Sequence, residues 1–110
     1  MTDAEEAEVA AWLEAQAERR IDTACARVFL TPERAFQVKR RLDLGYLDYS
    51  TLELRRWALD RELRFNRAAA PDIYRTVRAI TRMADGGLEF DGEGEPVEFA
   101  LEMRRFDETA

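Results

Sequence analysis

Histidine is absent from this chain, and cysteine and lysine occur once each, at Cys25 and Lys39. Without histidine there is no serine–histidine or cysteine–histidine nucleophile and no imidazole-based zinc site. A lone cysteine excludes an internal disulfide and argues against a thiolate metal centre, so Cys25 reads as an inert small residue. No apolar run approaches the ~20 residues that a membrane span needs. Residues 1–8 are acidic and polar, unlike a secretory signal, so cytoplasmic residence is the expectation. There is no low-complexity linker and no internal repeat.

What is present describes one domain of the soluble globular class. The 110 residues are 46% hydrophobic and 36% charged. The net charge of −6 disfavours nonspecific nucleic-acid binding. Neither nucleic acid nor a membrane is expected as a partner.

Thr2 and Glu5 have the spacing of a capping box, and acidic residues crowd the turn that follows. Val9, Trp12, Leu13 and Ala17 recur at helical intervals. They predict an amphipathic helix from Thr2 to Arg20, with Arg19 and Arg20 as cations at its C-terminal end. Residues 21–30 turn β-like. Thr31-Pro32-Glu33 makes a turn, and Ala35–Arg40 forms the second arm of a hairpin. On that arm Phe36 and Val38 share one face, while Ala35, Gln37 and Lys39 share the other.

After a loop centred on Gly45, Ser50 and Glu53 form a second capping box. The helix they open is predicted to run to about Ala69 and to stop before Pro71. Leu54, Trp57, Ala58, Phe65, Ala68 and Ala69 fall in one sector of it, and Leu52, Leu59 and Leu63 in another. Two apolar sectors predict a helix covered on both sides, with Glu62 partly buried between them and Arg56, Asp60, Arg64 and Arg67 on the wet face. Trp12 and Trp57 read as core or interface anchors. Strand signals return in residues 73–82 and 88–90, separated by the Asp85-Gly86-Gly87 turn. Gly92 and Gly94 belong to another turn. They are not a phosphate loop, because no helix follows them. Val97, Phe99, Leu101 and Met103 alternate with Glu98, Ala100, Glu102 and Arg104, which predicts a half-buried strand.

The order is α+β: a small antiparallel sheet with a long packed helix and an N-terminal helix. A strand lysine followed by a helix glutamate is also how kinase-like folds build the ion pair that holds nucleotide phosphates. The bland alternatives are a surface lysine at Lys39 and, at Glu62, a structural pair with a neighbouring arginine.

Several separated blocks resemble one family. They are Val28-Phe29-Leu30-Thr31, Lys39-Arg40, the run from Leu44 to Glu53, Glu62-Leu63-Arg64-Phe65-Asn66-Arg67, Pro71 and Tyr74. Gly94-Glu95-Pro96-Val97 and Met103-Arg104-Arg105-Phe106-Asp107 complete the set. Together they resemble the bacterial aminoglycoside-phosphotransferase-like proteins, which are often fused to a P-loop ATPase domain. The resemblance covers about Asp22 to Glu108 and only the start of that family's kinase-like domain. Residues 1–20 stand as the N-terminal amphipathic helix read above, and the resemblance implies residues 21–110 as a kinase small-lobe-like domain without the large lobe. It implies ATP as the cofactor, bound weakly if at all, with Lys39 on the phosphates and Glu62 anchoring it. Met103, Arg104 and Arg105 would then lie on the segment approaching the hinge, where the backbone faces the base. Arg104 and Arg105 also read as strand-end arginines that pair with surface carboxylates.

Two departures stand out. Where the family usually shows Thr-His-x-Ser, this chain has Thr23-Ala24-Cys25-Ala26. Where the family's strand carries two lysines two residues apart, this chain has Gln37 and Lys39, and the sequence leaves open which takes the kinase-lysine position. The catalytic aspartate in its histidine-containing loop and the metal-binding aspartate have no counterpart. The expectation is therefore a small lobe that is catalytically silent alone and holds no metal site of its own. A homodimer or a large-lobe-like protein is the expected partner. The alternatives are a non-enzymatic interaction module or one piece of a split enzyme.

Overall fold

A computed structural model describes residues 1–105. In chain order its elements are α1 (Asp3–Gln16), β1 (Arg19–Asp22), β2 (Ala26–Leu30), β3 (Arg34–Lys39), α2 (Leu52–Ala69), β4 (Tyr74–Arg82), β5 (Leu88–Phe90) and β6 (Pro96–Arg104). The strands form one antiparallel sheet ordered β1-β2-β3-β6-β4-β5. The α+β architecture expected from the sequence is present, with the long helix and the N-terminal helix packed on the sheet.

Thr2 caps α1 as predicted. Its hydroxyl accepts from the Glu5 amide at 3.1 Å, and the Glu5 carboxylate accepts from the Thr2 amide at 3.0 Å. The helix is shorter than predicted. Ala17 is already extended, and Arg19 and Arg20 belong to β1 rather than to a helix end. Arg20 pairs with Glu14 at 3.0 Å and with Asp22 at 2.8 Å, so strand pairing and local carboxylates take the place of the helix dipole. Residues 21–30 accordingly split into a hairpin, β1 and β2, turning at Thr23.

Each helix covers one face of the sheet. Val9, Ala10 and Leu13 of α1 bury against Phe29, Phe36, Val38, Ile80 and Ala100. On the other face Leu59 of α2 is fully buried with Leu30, Ala35, Phe99, Leu101 and Met103. Leu52 and Leu63 pack beside it. The second apolar sector of α2 is not covered: Trp57 is 59% and Phe65 66% exposed. The two-sided burial predicted for this helix is therefore wrong. A single sheet face satisfies one sector, and the described residues bring no layer to the other.

The α2 cap also differs by one residue from the sequence reading. Thr51, not Ser50, accepts from the Leu54 amide, at 3.2 Å. Ser50 instead donates its amide to Asp48 at 2.9 Å. The helix ends at Ala69 before Pro71, as predicted.

The strand predicted to be half-buried, β6, is buried on both faces because α1 packs over one and α2 over the other at the middle of the sheet. Glu98 and Glu102 are 2% and 9% exposed. Each is neutralised by arginines from elsewhere in the chain. Arg55 donates through Nε to both Glu98 oxygens at 3.1 and 3.0 Å, and Arg78 donates to Glu102 at 2.7 Å. Close approach at the preceding turn requires glycine: a Cβ on Gly94 would lie 1.8 Å from the Arg82 carbonyl oxygen.

Candidate functional site

Alternation along β3 puts Ala35, Gln37 and Lys39 on the face that carries α2. Lys39 is the last residue of the strand, opposite Ala26 of β2, and is only 8% exposed. A buried ammonium needs a counter-charge. Glu62 supplies it from α2, with Oε1 3.5 Å from Lys39 Nζ. The ammonium also lies 5.5 Å from the centre of the Tyr49 ring. Lys39 and Gln37 are the two positions left open by the sequence, and the contact with Glu62 is made at Lys39. Gln37 lies two residues back, opposite Val28 and Leu101.

Glu62 is half-buried, and its second oxygen is not satisfied. Oε2 is buried with no hydrogen-bond partner among the described residues. Partial burial raises the Tyr49 phenol above its ordinary value, and the nearby Glu62 carboxylate adds to the shift. Tyr49 is held by its backbone: its amide donates to Leu42 O at 2.7 Å and its carbonyl accepts from Arg55 Nη1 at 3.0 Å. The same Arg55 binds Glu98, so one guanidinium ties the site loop, α2 and β6 together.

The loop that closes the site is a tight turn. Leu44 N donates to Leu47 O at 2.8 Å, and Gly45 sits at φ +83°, where a side chain would be strained. Between this turn and α2 lies a pocket of about 430 Å³. Lys39, Tyr49 and Glu62 line its base, and Trp57, Arg61 and Phe65 its outer wall. The Arg61 guanidinium stands over both wall aromatics, 5.3 Å from the Trp57 ring and 5.6 Å from the Phe65 ring. The arrangement offers two cations and several aromatic faces in a concavity of small-molecule size.

Met103, Arg104 and Arg105 are elsewhere. Met103 pairs with Ala35 and Arg104 with Arg34 on β3. That places them four and five residues along the strand from Lys39, roughly 14 and 17 Å away. Met103 is buried in the α2-side core, and the Arg104 side chain is exposed. Arg105 binds the Glu18 carboxylate and donates to Thr31 O at 3.1 Å. Phe106 and Asp107, the rest of the expected hinge segment, lie outside the described residues. The turn at Thr23–Cys25, where the family pattern departs, lies at the Lys39 end of the sheet. Its carbonyls at Thr23 and Ala24 accept from Arg40 at 3.2 and 3.4 Å.

Sequence reasoning missed Tyr49, Arg55 and Arg61 as parts of this region. Arg61 was findable, because it sits four residues from both Trp57 and Phe65 on one helical stripe. Arg55 was not, because its partner Glu98 is 43 residues away. Among the described residues no group of three or more histidine, cysteine, aspartate or glutamate side chains could hold a metal ion. Comparison of the chain with protein-family models, with curated proteins and with solved structures found no match.

Proposed function

We propose that this domain is a phosphotransferase-like small lobe that offers Lys39 to the phosphates of ATP and is catalytically silent by itself. The observation that carries the reading is the Lys39–Glu62 pair, formed by the only lysine of the chain at a strand–helix junction. The ordered blocks that resemble aminoglycoside-phosphotransferase-like proteins support it. Phosphoryl transfer also needs a base and a metal held near the nucleotide. This chain has no histidine for the usual catalytic loop, so that chemistry would come from a second domain or polypeptide. A thermal-shift series with magnesium–ATP tests the reading. The wild type should rise in melting temperature at millimolar nucleotide, and Lys39→Gln should not. Equal responses of the two proteins, or no response of either, reject nucleotide binding at Lys39.

The open sector of α2 favours a second reading, a non-enzymatic interaction module. Trp57, Phe65 and, on the neighbouring turn, Tyr46 at 88% exposure form an apolar surface. A homodimer is the simplest such assembly. Light scattering at high concentration separates a dimer from a monomer.

A further inference from the structure

Alpha-helix α2 carries a surplus of positive charge on its outer side in a chain whose net charge is −6. Arg56 pairs with Asp60, and Glu62 with Lys39. Arg61, Arg64 and Arg67 are exposed and form no ion pair with a described residue. Glu53, in the first turn, is the exposed acidic residue of α2. These three arginines, Arg61 lying over the two rings, share the exposed side of the helix with Trp57 and Phe65, two aromatics eight residues apart, or about 12 Å along the axis. The surface around them is not flat. The 430 Å³ pocket lies on one flank, and a second groove of about 540 Å³, lined by Asp60, Leu63, Arg64, Arg67 and Ala68, lies on the other.

We infer that the exposed side of α2 docks an acidic amphipathic helix of a partner protein. Its apolar residues, one or two turns apart, would seat against Trp57 and Phe65 in the pocket beside the 43–49 turn. Its carboxylates would meet Arg61, Arg64 and Arg67. Charge complementarity selects an acidic partner. The ~12 Å spacing of the two aromatics matches anchors two helical turns apart. The paired grooves favour a ridged surface over a bilayer plane. A pairing of two α2 helices from two copies of this chain is disfavoured, because it would bring arginine against arginine. The inference rests on the interaction reading above, puts an acidic helix in the place of its homodimer, and uses the outer wall of the same pocket whose base carries Lys39.

The probe is a fluorescein-labelled synthetic peptide of about 18 residues, or ~27 Å of helix, rich in glutamate with leucine on one face. Its controls are the same peptide with lysine for glutamate, the same peptide with serine for leucine, vesicles of phosphatidylserine and phosphatidylcholine, and oligo-dT. Anisotropy titrations at low salt should show the acidic leucine peptide binding at least about tenfold more tightly than either control peptide. Arg61→Glu combined with Arg64→Glu should weaken it about tenfold or more, as should Trp57→Ala combined with Phe65→Ala. All four positions are exposed, so the melting temperatures of these variants should stay near wild type. If the lysine peptide binds equally well through the same aromatics, the interaction reading stands and the acidic partner is overturned. If binding is confined to vesicles or oligo-dT, or no peptide binds the wild type, the helix-docking surface itself is overturned.

Discussion

At the scale of single residues, the arginine at position 55 forms the most deeply buried ion pair among the described residues. It is 1% exposed and bonded to a carboxylate that is 2% exposed. Burial raises the Glu98 carboxyl above its ordinary value even though Arg55 pulls the other way. Such a pair is sensitive to losing one member. Arg55→Met should cost about 3–5 kcal/mol, because it strands Glu98 in the interior. Adding Glu98→Leu should recover most of that loss, since replacing both members of a buried pair with apolar groups is near neutral or stabilising. Urea denaturation of the two variants checks this, and equal stability of single and double variant would refute the pairing. By contrast, the Lys39–Glu62 contact at 3.5 Å is loose, and one Glu62 oxygen has no donor. A donor brought by a ligand would satisfy it, which is one reason to look for ligands there.

At the scale of elements, α2 is fastened by one sector only. Leu59 is fully buried, so Leu59→Ala should cost about 2–5 kcal/mol. Trp57→Ala removes more atoms but from an exposed side chain, and should change stability by no more than about 0.5 kcal/mol. Thermal or urea unfolding of the two variants distinguishes a covered sector from an open one. The outcome matters because the sequence made the two sectors look equivalent. Periodicity shows which residues share a side of a helix, and it was right about both groups. It does not show how many layers arrive to cover them. The same limit explains β6. Its alternation of apolar and charged residues is real, yet Glu98 and Glu102 point into the fold because Arg55, Arg78 and Arg34 meet them there. Those partners lie far away in sequence and leave no local mark. Local chemistry was more legible. The Thr2–Glu5 box, the stop before Pro71 and the face shared by Gln37 and Lys39 all follow from neighbours within a few residues. The end of α1 was not legible, because Ala17–Arg20 contains neither glycine nor proline to mark it.

At the scale of the whole molecule, charge sets the response to acid. Glu5, Glu6, Glu8, Asp22, Asp48 and Asp91 all have carboxyls held below their ordinary values. The backbone bond at Thr2 does this for Glu5, and the Arg82 guanidinium for Glu8. For Glu6, burial pushes upward but the Arg41 amide and Arg27 outweigh it. These groups bind fewer protons folded than unfolded. Their stabilisation is complete above the ordinary carboxylate range and is lost as pH falls through their lower folded values. Glu98 has the opposite sign: protonation relieves its burial, so its contribution grows as pH drops toward the ordinary glutamate value. Six groups against one make net acid destabilisation the expectation. The urea midpoint should fall below about pH 4. It should hold nearly level from pH 7 to 5, and a midpoint that rises steadily down to pH 3 would contradict the charge network. No helix among the described residues is long and apolar enough to cross a membrane.

The central claim is that the ammonium of Lys39 faces Glu62 and is available to phosphate. A single lysine makes this directly observable, because protein labelled with nitrogen-15 at the lysine side chain carries one ammonium signal. Burial against Glu62 should slow its exchange with water enough for the signal to be seen, Glu62→Gln should displace it, and magnesium–ATP should shift it in a saturable way. A signal that behaves like free lysine and ignores both the substitution and the nucleotide would contradict the account.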